Sequence, residues 1–196
     1  MDIHPLMILI AAILPHNIAL TYILGMCPLI AISKNLKSAF GMGISVIFVV
    51  TLTVVINWPI YYLILVPTNS EILAFVIFII TIAASVQLLE MLLEKFFPPL
   101  QSAFGIFLPL ITVNCIVLAI SLFMVLRQYD FIRTLCFALG SSIGWSLAIV
   151  ILAAINEKLA LVSDIPKGLK GPAIILIILG ILSLAFMGFG GMMKIQ

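Results

Sequence analysis

A chain of 196 residues that is 65% hydrophobic and 8% charged, with a mean hydropathy of +1.41, has more apolar surface than a soluble domain can bury, so it is expected to reside in a membrane. Its formal net charge of +2, dispersed along the chain, supplies no basic patch for nucleic acid. Three cysteines, two of them in apolar segments, make no disulfide framework, and Met-Asp-Ile-His lacks the basic region of a secretory leader, so none is expected.

Charged residues divide the chain into charge-free intervals at 3–33, 38–70, 72–89, 96–126, 134–156 and 171–193. Each approaches or exceeds the roughly 20 residues a helix needs to cross the hydrocarbon. The fold class predicted is an all-α polytopic membrane protein with six transmembrane helices and a single membrane domain over 1–196. The first interval is longer than one crossing needs, and residues 5–15 are expected to form an extra apolar helix leading into it. Trp58, Tyr61 and Tyr62 fall at the outer end of the second span, where an aromatic interfacial belt is expected. Glu90 and Glu94 stand one helical turn apart at the end of the third. Intramembrane carboxylates are suspects for a cation path, although an interfacial position beside Lys95 explains them equally. In the fifth span Cys136 reads as packing, and Gly140 and Gly144 form a small-xxx-small pair for close helix contact. Glu157, Lys158 and Asp164 read as a solvated loop, and FMGFGGMM near the end is a compositionally weak subunit-contact signal. His4 and His16 lack the spacing of metal ligands.

With six spans, the termini and the loops near 65–71 and 127–133 share one side. That side carries Arg127, Arg133 and Lys194, against Lys34, Lys37, Lys95, Lys158, Lys167 and Lys170 on the other. The positive-inside rule then places both termini outside the cytoplasm.

One stretch occurs twice. Residues 18–33, IALTYILGMCPLIAIS, align with residues 106–121, IFLPLITVNCIVLAIS, and seven of the sixteen positions are identical, Cys27 with Cys115 among them. Matched isoleucines carry little weight, but a matched cysteine in a chain with three carries more. The copies open spans one and four, so the unit has three spans, and halves at about 16–95 and 104–193 cross the membrane in opposite senses as a 3+3 inverted-topology repeat. Gly25 and Pro28 flank Cys27, and Pro109 precedes Cys115 by six residues, which predicts broken helices at spans one and four. Ten residues separate Asn17 from Cys27 and Gly105 from Cys115. A continuous helix covers about 15 Å in that length, so the two sulfurs are expected near the midplane.

Cysteines in membrane helices usually pack as small hydrophobes; the matched position argues for more. A disulfide between them would be an odd staple inside a bilayer. Two sulfurs are too few for a closed zinc or iron–sulfur site, so the inference is a half-site. A similar partner subunit would supply the other half of a Cys₄ [2Fe–2S] centre, with Cys27 and Cys115 as both cofactor-binding and metal ligands. Asn114, beside Cys115, could donate an amide hydrogen bond to a sulfur or satisfy backbone freed by the break. Gly25 and Pro28 are expected to shape the turn. If Cys27 caps a half-helix starting at Pro28, the positive helix end faces its sulfur. No catalytic residues are assigned: there is no nucleotide-binding glycine loop, Ser/His/Asp set or flavin-attachment motif.

The segments LGMCPLIAISK, QLLEMLLEKFFPPL, GIFLPLITVNC, FMVLRQYDF, GWSLAIV, DIPKGLKG and LAFMGFGG resemble the NqrDE/RnfAE family over nearly the whole chain. These are the paired membrane subunits of the sodium-translocating NADH:quinone reductase and of the Rnf ferredoxin:NAD reductase. LGMC, ITVNC, FMVLRQYDF and GWSLAIV are closer to the quinone-reductase branch, and Pro28 after Cys27 is closer to the Rnf branch. The resemblance implies a homologous NqrD/RnfE-like partner of opposite topology, sharing an intramembrane [2Fe–2S] cluster whose ligands match Cys27 and Cys115. It further implies a subunit of a multi-subunit translocase, with NADH and flavins on the other subunits. Electrons would be relayed across the bilayer and on to ubiquinone. A negative charge gained in a low-dielectric site is costly unless a cation approaches, the expected link to Na+. A secondary transporter on the same inverted repeat and a non-redox membrane scaffold are the rival readings, both with incidental cysteines.

Overall fold

Alanine, leucine and β-branched residues fill the apolar intervals, and in lipid the backbone of such a run has no water to bond, so it closes its hydrogen bonds internally as helix. The computed structural model of the protein describes residues 5–15, 17–33, 35–67, 73–96, 114–162 and 171–190. Among these, 88% are helical and no strand occurs. In chain order the helices are α1 (Pro5–Ile13), α2 (Ile18–Thr21), α3 (Met26–Ile32), α4 (Leu36–Ile60), α5 (Ala74–Phe96), α6 (Cys115–Leu126), α7 (Phe131–Val162) and α8 (Pro172–Gly190).

Two of the described helices are long and apolar enough to cross a membrane, Leu36–Leu65 and Phe131–Val162; Ala74–Leu88, Cys115–Leu126 and Pro172–Gly188 are shorter apolar helices. The expected extra helix before the first crossing is present as α1. Hydroxyls within α4 and α5 bond back to the carbonyl four residues earlier, Thr51 to Ile47 and Thr53 to Val49 at 2.7 Å and Ser85 to Thr81 at 2.7 Å, which hides them from lipid. Pro59 lies inside α4 and has no N–H to donate. The helix widens just beyond it into the π-helical turn Tyr61–Leu65, closed by Val66 N to Tyr61 O at 3.1 Å.

The core is built on α4 crossing α7. A Cβ at Gly43 of α4 would run into the Ser146 side chain, and Ala39, Met42, Val46, Val50, Ala148, Ile149 and Leu152 are buried around this crossing. The two helices are antiparallel. At one end Asn156 Nδ2 of α7 donates to Ser33 O, before α4 begins, at 3.3 Å; at the other, Trp58 lies 5.2 Å from Phe131 and Tyr62 Oη donates to Tyr129 O at 3.3 Å. Helix α1 packs against α7 through Gly140 and Gly144, as the small-residue pair predicts. A Cβ on Gly140 would lie 2.7 Å from Leu9 O, and one on Gly144 3.1 Å from both Ala12 O and Ile13 O.

Two expectations are corrected. Trp58, Tyr61 and Tyr62 are not simply an interfacial belt: Tyr61 is buried against Phe78 of α5, and Trp58 meets Phe131 of α7 at 5.2 Å, so they also join helices. The chain from Asn17 to Cys27 is not continuous helix either, since α2 stops at Thr21 and α3 starts at Met26, so the helical rise of 1.5 Å per residue does not apply across it. His4, His16, Gly105, Pro109, Asp164 and the Glu94 side chain lie outside the described residues.

Candidate metal centre

The first break is held at three points. Asn17 caps α2, its Oδ1 accepting from Ala19 N at 3.1 Å, while its Nδ2 donates to Gly144 O of α7 at 2.8 Å. After Thr21 the chain turns on two left-handed residues, Ile23 with φ 55° and Gly25 with φ 79°; for a β-branched residue that is a strained conformation. The break frees the carbonyl of Leu20, which accepts from Ser183 Oγ of α8 at 2.6 Å, the kind of rescue a broken membrane helix requires.

Gly25 is the N-cap of α3, so Cys27 is its second residue and Pro28 its third. This corrects the expectation that Cys27 itself caps a helix starting at Pro28. The shift is harmless, because the first-turn N–H groups have no intrahelical acceptor and proline loses nothing there. In the second copy Asn114 caps α6, its Oδ1 accepting from Ile116 N at 3.3 Å, and Cys115 is the first helical residue. Asparagine is among the best residues for that position. Each copy of the repeated stretch therefore starts a helix at its cysteine, within one residue of register.

The two helix starts meet. A Cβ on Gly25 would lie 3.2 Å from Asn114 Oδ1 and 2.5 Å from Trp145 Nε1 of α7, so the cap of α3 abuts the cap of α6 with the indole beneath. Both Cys27 and Cys115 are exposed at the surface of the chain. An apolar groove of about 280 Å³ runs beside Cys115, lined by Leu24, Leu118, Ala119, Leu122, Phe123 and Leu126. Around Gly25 the interior is polar but unsatisfied. Trp145 is 0% and Asn114 3% exposed, and neither Trp145 Nε1 nor Asn114 Nδ2 has a hydrogen-bond partner among the described residues.

No group of three or more His, Cys, Asp or Glu able to hold a metal occurs among the described residues. What the described residues do bring to neighbouring helix starts is two exposed thiols, a ligand type that suits soft metals and iron–sulfur clusters. The residues fit half of a [2Fe–2S] centre. Cys136 is half-buried on α7, Glu90 is half-buried near the end of α5, and neither belongs to this pair of helix starts. Trp145 was visible in the sequence only within GWSLAIV; the available signal was that an indole N–H in an apolar span needs an acceptor.

Residues 6–193 match the family described as "Rnf-Nqr subunit, membrane protein". The chain is 46% identical over 198 aligned residues, 96% of this chain and 98% of the relative, to the E component of the Na(+)-translocating NADH-quinone reductase of Shewanella denitrificans. With the match running almost from end to end, the chain belongs to the Rnf-Nqr family of membrane protein subunits.

Proposed function

We propose that the chain is a membrane subunit of a bacterial sodium-translocating NADH–quinone reductase, in which Cys27 and Cys115 hold half of a [2Fe–2S] cluster completed by a homologous partner subunit. Near full-length similarity to a component of that reductase supports the first part. The second is carried by one observation: two abutting helix starts each present an exposed cysteine. Four thiolates are the usual requirement, and thiols at the surface can be reached by a second subunit. The 3+3 inverted repeat is supported by the antiparallel pairing of α4 and α7, which occupy the same place in the two halves.

When bound, a [2Fe–2S] cluster supplies reversible one-electron transfer. This chain's residues hold and shield it. Asn114 fixes Cys115 at the start of α6, and Gly25 keeps the turn before Cys27 clear of side-chain bulk. Leu24, Leu118, Leu122 and Phe123 form an apolar wall that excludes water once a partner covers the groove, and such shells tune redox sites. NADH and flavins bind to other subunits, and the complete assembly is the enzyme. The equivalent Rnf subunit is the second reading, favoured by Pro28 directly after Cys27; the identity of the co-purifying subunits separates the two.

In the assembled complex, Cys27→Ser and Cys115→Ser are each expected to abolish the [2Fe–2S] EPR signal of the reduced protein. Each should also lower iron content by about two atoms and stop NADH-driven quinone reduction, whereas Cys136→Ser keeps all three. A signal that survives either of the first two substitutions overturns the assignment. A transporter with incidental cysteines would show no such signal even before substitution.

A further inference from the structure

The apolar groove beside Cys115 leads to a cation. Its floor is one face of α6, where Leu118, Ala119, Leu122 and Leu126 recur at helical spacing after Cys115, and Leu24 from the turn before α3 also lines it. Cys115 aside, every residue lining the groove is apolar. Helix α6 has 12 residues, about 18 Å at 1.5 Å per residue. That is close to the depth of one leaflet, half of a hydrocarbon layer about 30 Å thick.

Arg127 follows directly as the C-cap of α6. Backbone N–H groups meet the last carbonyls of the helix: Gln128 N donates to Val125 O and Tyr129 N to Met124 O, both at 3.2 Å. The guanidinium is not needed for capping. It lies over the Phe123 and Tyr129 rings, 5.9 and 6.0 Å from their centroids, and its Nη1 donates to Tyr129 Oη at 3.0 Å. Arginine has five N–H donors, and this bond uses one. The residue is exposed, and no carboxylate among the described residues pairs with it. Tyr129 Oη, accepting from Arg127, keeps its own hydrogen to donate.

We propose that this groove is a phospholipid site, with one acyl chain lying along α6 and the phosphate held by Arg127 and Tyr129. Length and charge favour this occupant together. A trough about one leaflet deep matches an acyl chain, and a cation at its end matches the phosphate such a chain carries at the membrane surface. Guanidinium and phosphate make strong, charge-assisted hydrogen bonds. An apolar helix of a partner subunit would fill the trough but leave the guanidinium unanswered. Lipid binding here does not depend on the cluster assignment. Where a partner covers the groove, the lipid lies between the two chains and closes the apolar wall beside Cys115.

The test is native mass spectrometry of the purified complex, stripped of lipid in detergent and returned to dioleoylphosphatidylglycerol. The parent should form a lipid-bound species, and Arg127→Gln should form several-fold less of it. Arg133→Gln removes the other arginine at this end and should match the parent. Dioleoylglycerol, which has the chains without the phosphate, and inorganic phosphate, which has no chains, should neither bind nor displace the phospholipid. Ala119→Leu fills the floor of the groove with the cation intact and should also lose the lipid. Equal retention in Arg127→Gln and the parent, equal loss in Arg133→Gln, or displacement by inorganic phosphate alone overturns the proposal. So does a parent that takes up no phospholipid, the outcome if a protein helix occupies the groove. If Arg127→Gln does not assemble, Ala119→Leu carries the measurement: lost lipid supports the proposal and retained lipid overturns it. The readout involves no iron, so loss of the cluster assignment leaves this inference standing, and its own failure leaves the cluster assignment untouched.

Discussion

Gly25 is subject to two independent demands. Its φ of 79° is in the left-handed region, where an L side chain costs about 1–2 kcal/mol. A Cβ would also meet the Trp145 indole at 2.5 Å, and an overpacked site typically costs about 1–3 kcal/mol more. Gly25→Ala is therefore expected to lower the thermal midpoint of the detergent-solubilised complex and to reduce its iron content, by moving either the turn before Cys27 or the indole under it. Differential scanning fluorimetry with iron analysis checks both, and a variant matching the parent in each would mean that the turn is not built as described. Ile23, two residues earlier, shows how tightly this turn is constrained: it holds φ 55° with half its surface exposed, a strain that its own packing does not explain. Residues kept in such conformations tend to cluster at functional sites.

At the level of elements, the contact of α1 with α7 separates a glycine that is needed from one that is not. Gly140 faces Leu9 O, 2.7 Å from where a Cβ would stand, whereas Gly180 on α8 has nothing within 4 Å. A backbone carbonyl cannot swing aside as a side-chain tip can, so Gly140→Ala should push α1 off α7 and destabilise by about 1–3 kcal/mol. Gly180→Ala should be neutral or stabilising by up to about 1 kcal/mol from helix propensity; fluorescence-detected size exclusion after heating ranks the two. Gly140 and Gly144 were legible in the sequence because small residues four apart mark close helix contact, and the charge gaps exposed the long apolar segments. The start of α3 at Met26 was not legible, because the turn before it is fixed by Ser183 and Trp145, which are 163 residues from Leu20 and far from Gly25 in sequence. The same holds for the bond from Asn57 Nδ2 to Ser121 Oγ at 3.0 Å, across 64 residues, and for the aromatic cluster, since local pattern does not distinguish a ring facing lipid from one facing another helix. The cysteine pair could be read from its repetition; the approach of Trp145 to Gly25 depends on where α7 crosses.

For the whole molecule, the polar bonds between the halves have a reciprocal form. Asn57 of α4 reaches Ser121 in the second copy of the repeated stretch, and Asn156 of α7 reaches Ser33 in the first, 3.4 Å from its Oγ. Ser33 and Ser121 are matched positions of the repeat, so each half is clamped by the long helix of the other. This is the arrangement expected of two halves that cross in opposite senses, and it sorts the charges by end. Lys37 in the first turn of α4 and Lys158 near the end of α7 are exposed at the end joined by Asn156 and Ser33. Helix α5 starts beside Tyr61, where Phe78 packs, and runs back to place exposed Lys95 in its last turn at that same end. Arg127 and Arg133 flank the start of α7 at the opposite end. Basic residues next to span ends are retained in the cytoplasm, so the orientation proposed for a six-span chain puts the lysine end inward and the C-terminus outward. Alkaline phosphatase fused after Gln196 should be active and green fluorescent protein fused there dark, with the opposite pair of results for fusions placed after Lys158. Fluorescence from the fusion at Gln196 would reverse the orientation and place the arginine end in the cytoplasm.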